Sequence, residues 1–231
     1  RYNAEQIFIL MREADRQGVR VLCLPELCLT GYTCADLFLQ DTLIRGAEEG
    51  LATILEATKN LDMIAAIGLP VRDKWDNKLY NCAAVIQKGD ILGLVAKTYL
   101  PNYGEFYEQR WFTPSGGIGG VDHMVELCGK QVSLSCNGLF ACEDLEDLVI
   151  GVEICEDLWA PEPPSAALAQ EGATIILNLS ASNELAGKAA YRRSLVTGQS
   201  GRLVCGYVYA DAGEGESTTD MVFAGHNMIA E

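Results

Sequence analysis

The sequence predicts an α/β domain whose sheets are covered by helices, on three observations. Amphipathic stretches alternate with short runs of branched apolar residues. Two pairs of such runs are joined by tight turns containing glycine. Of the 231 residues, 49% are hydrophobic, enough for a sizeable core.

Each element has its own justification. "AEQIFILMREADRQG" spaces apolar residues as a helix face and stops at glycine, which predicts a helix over Ala4–Gln17. "VRVLCLPEL" follows as a buried strand. Leu43–Asn60 reads as a second helix and "DMIAAIGLPV" as a second buried strand. "LYNCAAVIQKGDILGLVAKTYLP" holds two β-rich runs around Lys88-Gly89-Asp90, a hairpin, and "MVELCGKQVSLS" repeats the pattern around Cys128-Gly129-Lys130. "LVIGVEIC" and "GATIILNLS" are further buried strands, with the helix-compatible "SAALAQEG" between them. Residues 188–200 form another helical stretch, followed by "RLVCGYVYA" and "FAGHNMIA" as late strands. No Pro/Gly/Ser linker divides the chain, so residues 1–231 read as one domain. It starts at Arg1 rather than Met and stops on "HNMIAE" inside a strand-like run, so the expectation is a piece of a longer polypeptide, cut at both ends.

The bulk numbers exclude several roles. Seventeen basic against 32 acidic residues give a net charge of −15, which argues against nucleic acid or an anionic membrane as partner. No stretch reaches the length of a membrane span and no signal peptide opens the chain. The nine cysteines are odd in number, never spaced CxxC and mostly set within apolar runs, which suits core filler in a reducing, cytoplasmic setting. Zinc is disfavoured, because the two histidines lie far from any cysteine pair.

Sites in α/β folds collect at the carboxyl ends of strands. Three predicted strand ends carry unusual groups: "VLCLPEL" delivers Glu26, "ILGLVAK" delivers Lys97 and "IGVEIC" delivers Cys155. Singly, each has a structural reading. Jointly they make an acyl-transfer site, with Cys155 as nucleophile, Glu26 as general base and Lys97 stabilising thiolate and oxyanion. A Cys–His dyad is the weaker assignment, since only His123, in a Gly-rich loop, and His226, near the end, are available.

"LPELCLTGY", "AKTYLPNYGEFYEQRWF" and "GVEICEDLW" resemble the Glu, Lys and Cys blocks of the nitrilase (carbon–nitrogen hydrolase) superfamily. "LSASNELAGKAAYRR" and "YVYADAGEGESTTDMVFAGHNMIAE" narrow the resemblance to the amino-terminal glutaminase domains of glutamine-dependent NAD synthetases. The resemblance implies a four-layer αββα sandwich and hydrolysis of the L-glutamine amide through a glutamyl thioester on Cys155. It implies a second acid supporting Lys97, Glu108 or alternatively Glu105. It further implies a glutamine pocket of Tyr103, Glu156, Trp159, Ser182 and Lys188. Glu156 would meet the substrate ammonium, and Lys97 would then have to outweigh Glu156 at the sulfur. No cofactor is expected in this domain. ATP, Mg2+ and deamido-NAD would belong to a carboxyl-terminal synthetase domain of the same polypeptide, and a homo-oligomer is expected.

"PSGGIGGVD" (Pro114 to Asp122) is similar to a pyrophosphate-binding loop, but its spacing is wrong and no buried strand precedes it, so it reads as a solvent loop. Two other functions compete with the glutaminase: a stand-alone amidase of the same superfamily acting on another small amide, and an inactive docking or regulatory module. A gene ending soon after Glu231 would favour the amidase. The intact Glu26, Lys97 and Cys155 speak against the inactive module.

Overall fold

A computed structural model describes residues 1–117 and 123–231. The first sheet has the order β1 (Val21–Cys23), β2 (Ile64–Arg72), β3 (Leu79–Gln87), β4 (Asp90–Ala96), β6 (Lys130–Ser135) and β5 (Met124–Leu127). The second has β11 (Met228–Ala230), β10 (Gly206–Asp211), β9 (Ile175–Ser180), β8 (Val149–Ile154) and β7 (Leu139–Ala141). The helices are α1 (Tyr2–Arg16), α2 (Asp41–Ala57), the single turn α3 (Glu156–Trp159), α4 (Pro164–Gln170) and α5 (Lys188–Leu203).

Side-chain alternation builds four layers from these elements. Tyr80, Cys82, Ala84 and Ile86 of β3 face the apolar stripe of α1 and α2, which includes Ile7, Met11, Leu51 and Ile54. Their neighbours Ala83 and Val85 face the other way, into a core shared with Ile150, Val152, Leu177 and Leu179 of the second sheet. Behind that sheet, Ile176, Tyr207 and Tyr209 pack on Leu168 of α4 and Val196 of α5. The order is helices, sheet, sheet, helices: an αββα sandwich.

The two hairpins form at the predicted turns, with Lys88, Gly89, Cys128 and Gly129 all at positive φ. Elsewhere the structure corrects the sequence reading. β1 is only three residues long, because the chain leaves the sheet before Pro25, and Glu26 stands in a turn rather than at a strand end. The α5 helix runs on through Arg202 and Leu203, which the sequence assigned to a strand, and ends at Val204 in the left-handed region. Phe223–Asn227 is not strand, so only Met228–Ala230 pairs with β10. β7 and α3 were not foreseen. All nine cysteines are free; Cys82, Cys155 and Cys205 are buried and six are half-buried, fewer in the core than expected. Among the described residues no helix is long and apolar enough to cross a membrane.

The same alternation aims the site. Lys97, one residue past β4, shares the inter-sheet face with Val95, and Asn81 shares it with Ala83. The Glu26 turn is held between the sheets: its amide donates to Ser180 O at 3.3 Å, and it lies directly on β2 at Gly68. A Cβ at position 68 would stand 2.3 Å from Leu27 N and 2.5 Å from Pro25 O, both backbone atoms that cannot swing aside. Gly68→Ala is therefore expected to destabilise the chain by about 1–3 kcal/mol in urea unfolding, as overpacking does; wild-type stability would contradict this close approach.

Candidate active site

Burying a charge requires a partner and hydrogen bonds for every remaining lone pair or proton. At the carboxyl ends of β4, β8 and β9 the chain buries three ionisable groups together. Lys97 Nζ donates to Glu26 Oε1 at 2.6 Å and to Glu108 Oε1 at 2.7 Å, and all three residues are 1% exposed. Glu26 Oε1 also accepts from Asn81 Nδ2 at 2.6 Å, and Glu26 Oε2 from the Ala181 amide at 3.1 Å. The Tyr32 hydroxyl donates to Glu108 Oε1 at 2.8 Å. Among the described residues Glu108 Oε2 is buried without a partner.

Burial alone would push Lys97 down, but Glu108 and Glu26 outweigh it and hold the ammonium well above its ordinary value. Burial raises Glu108 to about 7, against the pull of Lys97 and with the help of Glu26. A lysine has three protons to donate. Two are used here, which leaves one for a third negative group.

Cys155 stands beside this cluster at a sharp strand-to-helix turn between β8 and α3. Its φ of 46° and ψ of −97° lie where a side-chain-bearing residue is strained, a conformation that recurs at nucleophiles carried on such turns. Burial, then Glu26, raise the thiol well above its ordinary value, while Lys97 and the Ala181 amide pull it down. The balance favours the protonated thiol. Glu156 accepts from the Tyr103 hydroxyl at 3.0 and 3.1 Å and lines the same cavity as Cys155.

The five expected pocket residues come together. Tyr103, Glu156, Trp159, Ser182 and Lys188 line one cavity of about 410 Å³ with Cys155 at its wall. Burial raises Glu156 and lowers Lys188, each of which is half-buried. Lys188 Nζ lies 5.0 Å from the Trp159 ring centre and donates to Asn183 Oδ1. Glu105 accepts from Asn183 Nδ2, so of the two candidate acids it is Glu108 that contacts Lys97. His123 bonds Asp73 and His226 contacts Arg192 and Arg193, so the structure does not assemble a Cys–His dyad. In the glycine-rich loop, Ser115 is buried and its amide donates to Lys97 O at 3.0 Å, unlike a solvent loop; residues 118–122 lie outside the described residues.

Three supporting residues escaped the sequence reading. Asn81 orients Glu26. Arg192, fully buried, donates to Ser182 Oγ at 3.2 Å, Asn183 O at 2.8 Å and Glu184 Oε2 at 3.1 Å. Asp211 accepts from the Ser182 amide at 2.7 Å, and burial raises it to about 6. Arg192 had a signal: it follows Lys188 by one helical turn and precedes the buried Val196 by another, a cation on a core-facing stripe.

A buried Cys beside a Glu–Lys–Glu cluster on an αββα sandwich defines a class of enzyme-like fold, and the carbon-nitrogen hydrolase family matches residues 1–230. The chain belongs to that family. A glutamine-dependent NAD(+) synthetase from Mycobacterium tuberculosis is 41% identical over 229 residues, covering 99% of this chain and 33% of that protein. One from Aquifex aeolicus is 31% identical over 98% of this chain and 35% of its own length. The crystal structure of a glutamine-dependent NAD(+) synthetase from Cytophaga hutchinsonii superposes with a TM-score of 0.82 at 35% identity, over 99% of this chain and 36% of that one. An amidase from Nesterenkonia sp. shares the fold, with a TM-score of 0.75 at 17% identity over 99% of this chain and 75% of its own. The chain thus spans about a third of the length of the NAD(+) synthetases it matches.

Removing the central cation tests the electrostatics. In Lys97→Met, Glu26 and Glu108 would be buried without a cation, and Glu108, already raised by burial, would move further above the unfolded value of about 4.3. Such groups bind protons more tightly folded than unfolded, and stability falls as pH rises past the unfolded value. Lys97→Met is expected to lose about 3–5 kcal/mol at pH 8 and distinctly less at pH 5, read from urea midpoints. An equal loss at both pH values would contradict a charged buried cluster.

Proposed function

We propose that this chain is a glutaminase that hydrolyses the side-chain amide of L-glutamine through a glutamyl thioester on Cys155. The observation that carries the reading is the Lys97 ammonium held between two buried carboxylates beside a strained cysteine, at the wall of a pocket that is also lined by the cation Lys188 and the carboxylate Glu156.

The chemistry follows from that arrangement. Because Cys155 rests as a thiol, its proton must leave as the sulfur attacks the carboxamide carbon, and Glu26 is the acceptor. The new C–S bond pushes the carbonyl electrons onto oxygen, and the remaining Lys97 proton is the donor for that oxyanion. The C–N bond then breaks as Glu26 returns the proton to nitrogen, releasing ammonia. Water, deprotonated by Glu26, attacks the thioester, and glutamate departs with the thiol restored. Glu108 and Asn81 hold Lys97 and Glu26 in place throughout. Glutamine itself is held by Glu156 at its ammonium and by Lys188 and Ser182 at its carboxylate, with Tyr103 and Trp159 as walls.

The kinship with glutamine-dependent NAD(+) synthetases, three times as long as this chain, supports a second step. The ammonia would serve the ATP- and Mg2+-dependent amidation of deamido-NAD in a carboxyl-terminal synthetase domain of the same polypeptide, in a cytoplasmic homo-oligomer. No cofactor is assigned to the present domain.

A diazo-ketone analogue of glutamine is expected to label Cys155 alone, with no adduct in Cys155→Ala; labelling elsewhere would refute the nucleophile. Glu26→Ala and Lys97→Ala should each lower ammonia release by several orders of magnitude, because members of one catalytic unit act non-additively. Equal release from unrelated aliphatic amides would refute glutamine as substrate. Ionised Glu108 braces Lys97, so turnover should fall as pH drops through about 7, and this acid limb should be missing in Glu108→Gln. A Glu108→Gln variant with the wild-type limb would assign the titration to another group.

A further inference from the structure

Asp157, two residues beyond Cys155, takes no part in the chemistry above, yet it is 2% exposed and its carboxylate meets only donors. Oδ1 accepts from the amides of Thr98 at 3.0 Å and Tyr99 at 2.8 Å, and Oδ2 from the amide of Ile154 at 2.9 Å. Thr98 and Tyr99 are the two residues after Lys97, and Ile154 is the residue before Cys155. The two strand ends belong to different sheets, and among the described residues no backbone hydrogen bond joins them. A single carboxylate bridges the gap.

We infer that Asp157 is a positioning residue for amide hydrolysis: by clamping the end of β4 to the end of β8, it sets where the Lys97 ammonium stands relative to the Cys155 sulfur. The inference rests on the glutaminase reading. Three features support it. The bond to Ile154 closes a loop over Cys155, so the same side chain that fixes the neighbouring strand also restrains the residue with the strained backbone. Bonds from amides to an ionised acceptor are shorter and stronger than neutral ones, which suits a clamp across a sheet-to-sheet gap. Burial raises the carboxyl to about 8, against the pull of the amide donors, while the absence of any acceptor among its partners favours the ionised form. The placement also explains why an acid can sit so close to the sulfur: both its oxygens are taken up by backbone amides of the two strands.

Asn is the informative replacement, because it keeps the shape but turns one side of the group into a donor. In one orientation its NH2 faces the Ile154 amide, in the other the Thr98 and Tyr99 amides, and either way one arm of the clamp is lost. An error of about 1 Å in the placement of reacting groups costs on the order of 100-fold in rate. With L-glutamine as the probe, Asp157→Asn is expected to lower kcat by about 10- to 100-fold and to leave KM within about threefold, because the glutamine contacts lie elsewhere. Asp157→Glu, one methylene longer with the same charge, guards against misfolding of the Asn variant and should show the same loss confined to kcat. Circular dichroism establishes which variants are folded. Wild-type kcat in either folded variant, or a loss carried by KM, would overturn the assignment. If wild-type protein releases no ammonia from glutamine, the glutaminase reading itself falls, an outcome the wild-type control separates from the behaviour of Asp157.

Discussion

The buried ammonium of Lys97 is the interaction on which the rest of the site depends. Without a partner such a charge would cost several kcal/mol. With Glu26 on one side and Glu108 on the other it is over-compensated, leaving the cluster one negative charge in excess when all three groups are ionised. The two carboxylates keep Lys97 charged, while burial, with Glu26 adding to it, raises both Glu108 and the Cys155 thiol. In the proposed reaction, a cluster arranged in this way supplies a base beside the nucleophile and a cation where negative charge develops.

Such a cluster demands two sheets rather than one. Lys97 leaves the first sheet, Cys155 and Ala181 leave the second, and the Glu26 turn lies between them, bonded to Ser180 and Ala181 and pressed onto Gly68. Side-chain alternation points Asn81 and Lys97 into the inter-sheet layer, and the strained turn at Cys155 brings the sulfur to the same place. Backbone strain of this kind costs about 1–3 kcal/mol and persists where the surroundings over-determine it. The apolar layers on both sides of each sheet supply that determination, which links the packing of the sandwich directly to the geometry of the chemistry.

What the sequence disclosed follows from the same physics. Strands β2, β3, β8 and β9 are buried on both faces, so they read as nearly unbroken apolar runs, and a Cys ending β8 or a Lys ending the apolar half of β4 is conspicuous. Glu26 was found by its position after an apolar run, although Pro25 had already taken the chain out of the sheet. β7, two half-buried residues and an exposed one, is too short to show a period. Asn81 is 55 positions from Glu26, and Asp157 is 58 and 59 from the two β4-end amides it receives. Their roles depend on neighbours brought from another element, and no local pattern encodes that. Block resemblance supplied the pocket residues; the structure brings all five to one cavity and adds the Arg192 and Asp211 framework that holds Ser182.

The central claim is that Cys155, activated by Glu26 and Lys97, carries the glutamyl group during turnover. Acid quenching of the chain during steady-state hydrolysis of isotopically labelled glutamine, followed by peptide mass spectrometry, tests it most directly. The label should be found as a thioester on the Cys155 peptide and should disappear once glutamine is exhausted. Ammonia released at the full rate with no label ever present on Cys155 would contradict the account.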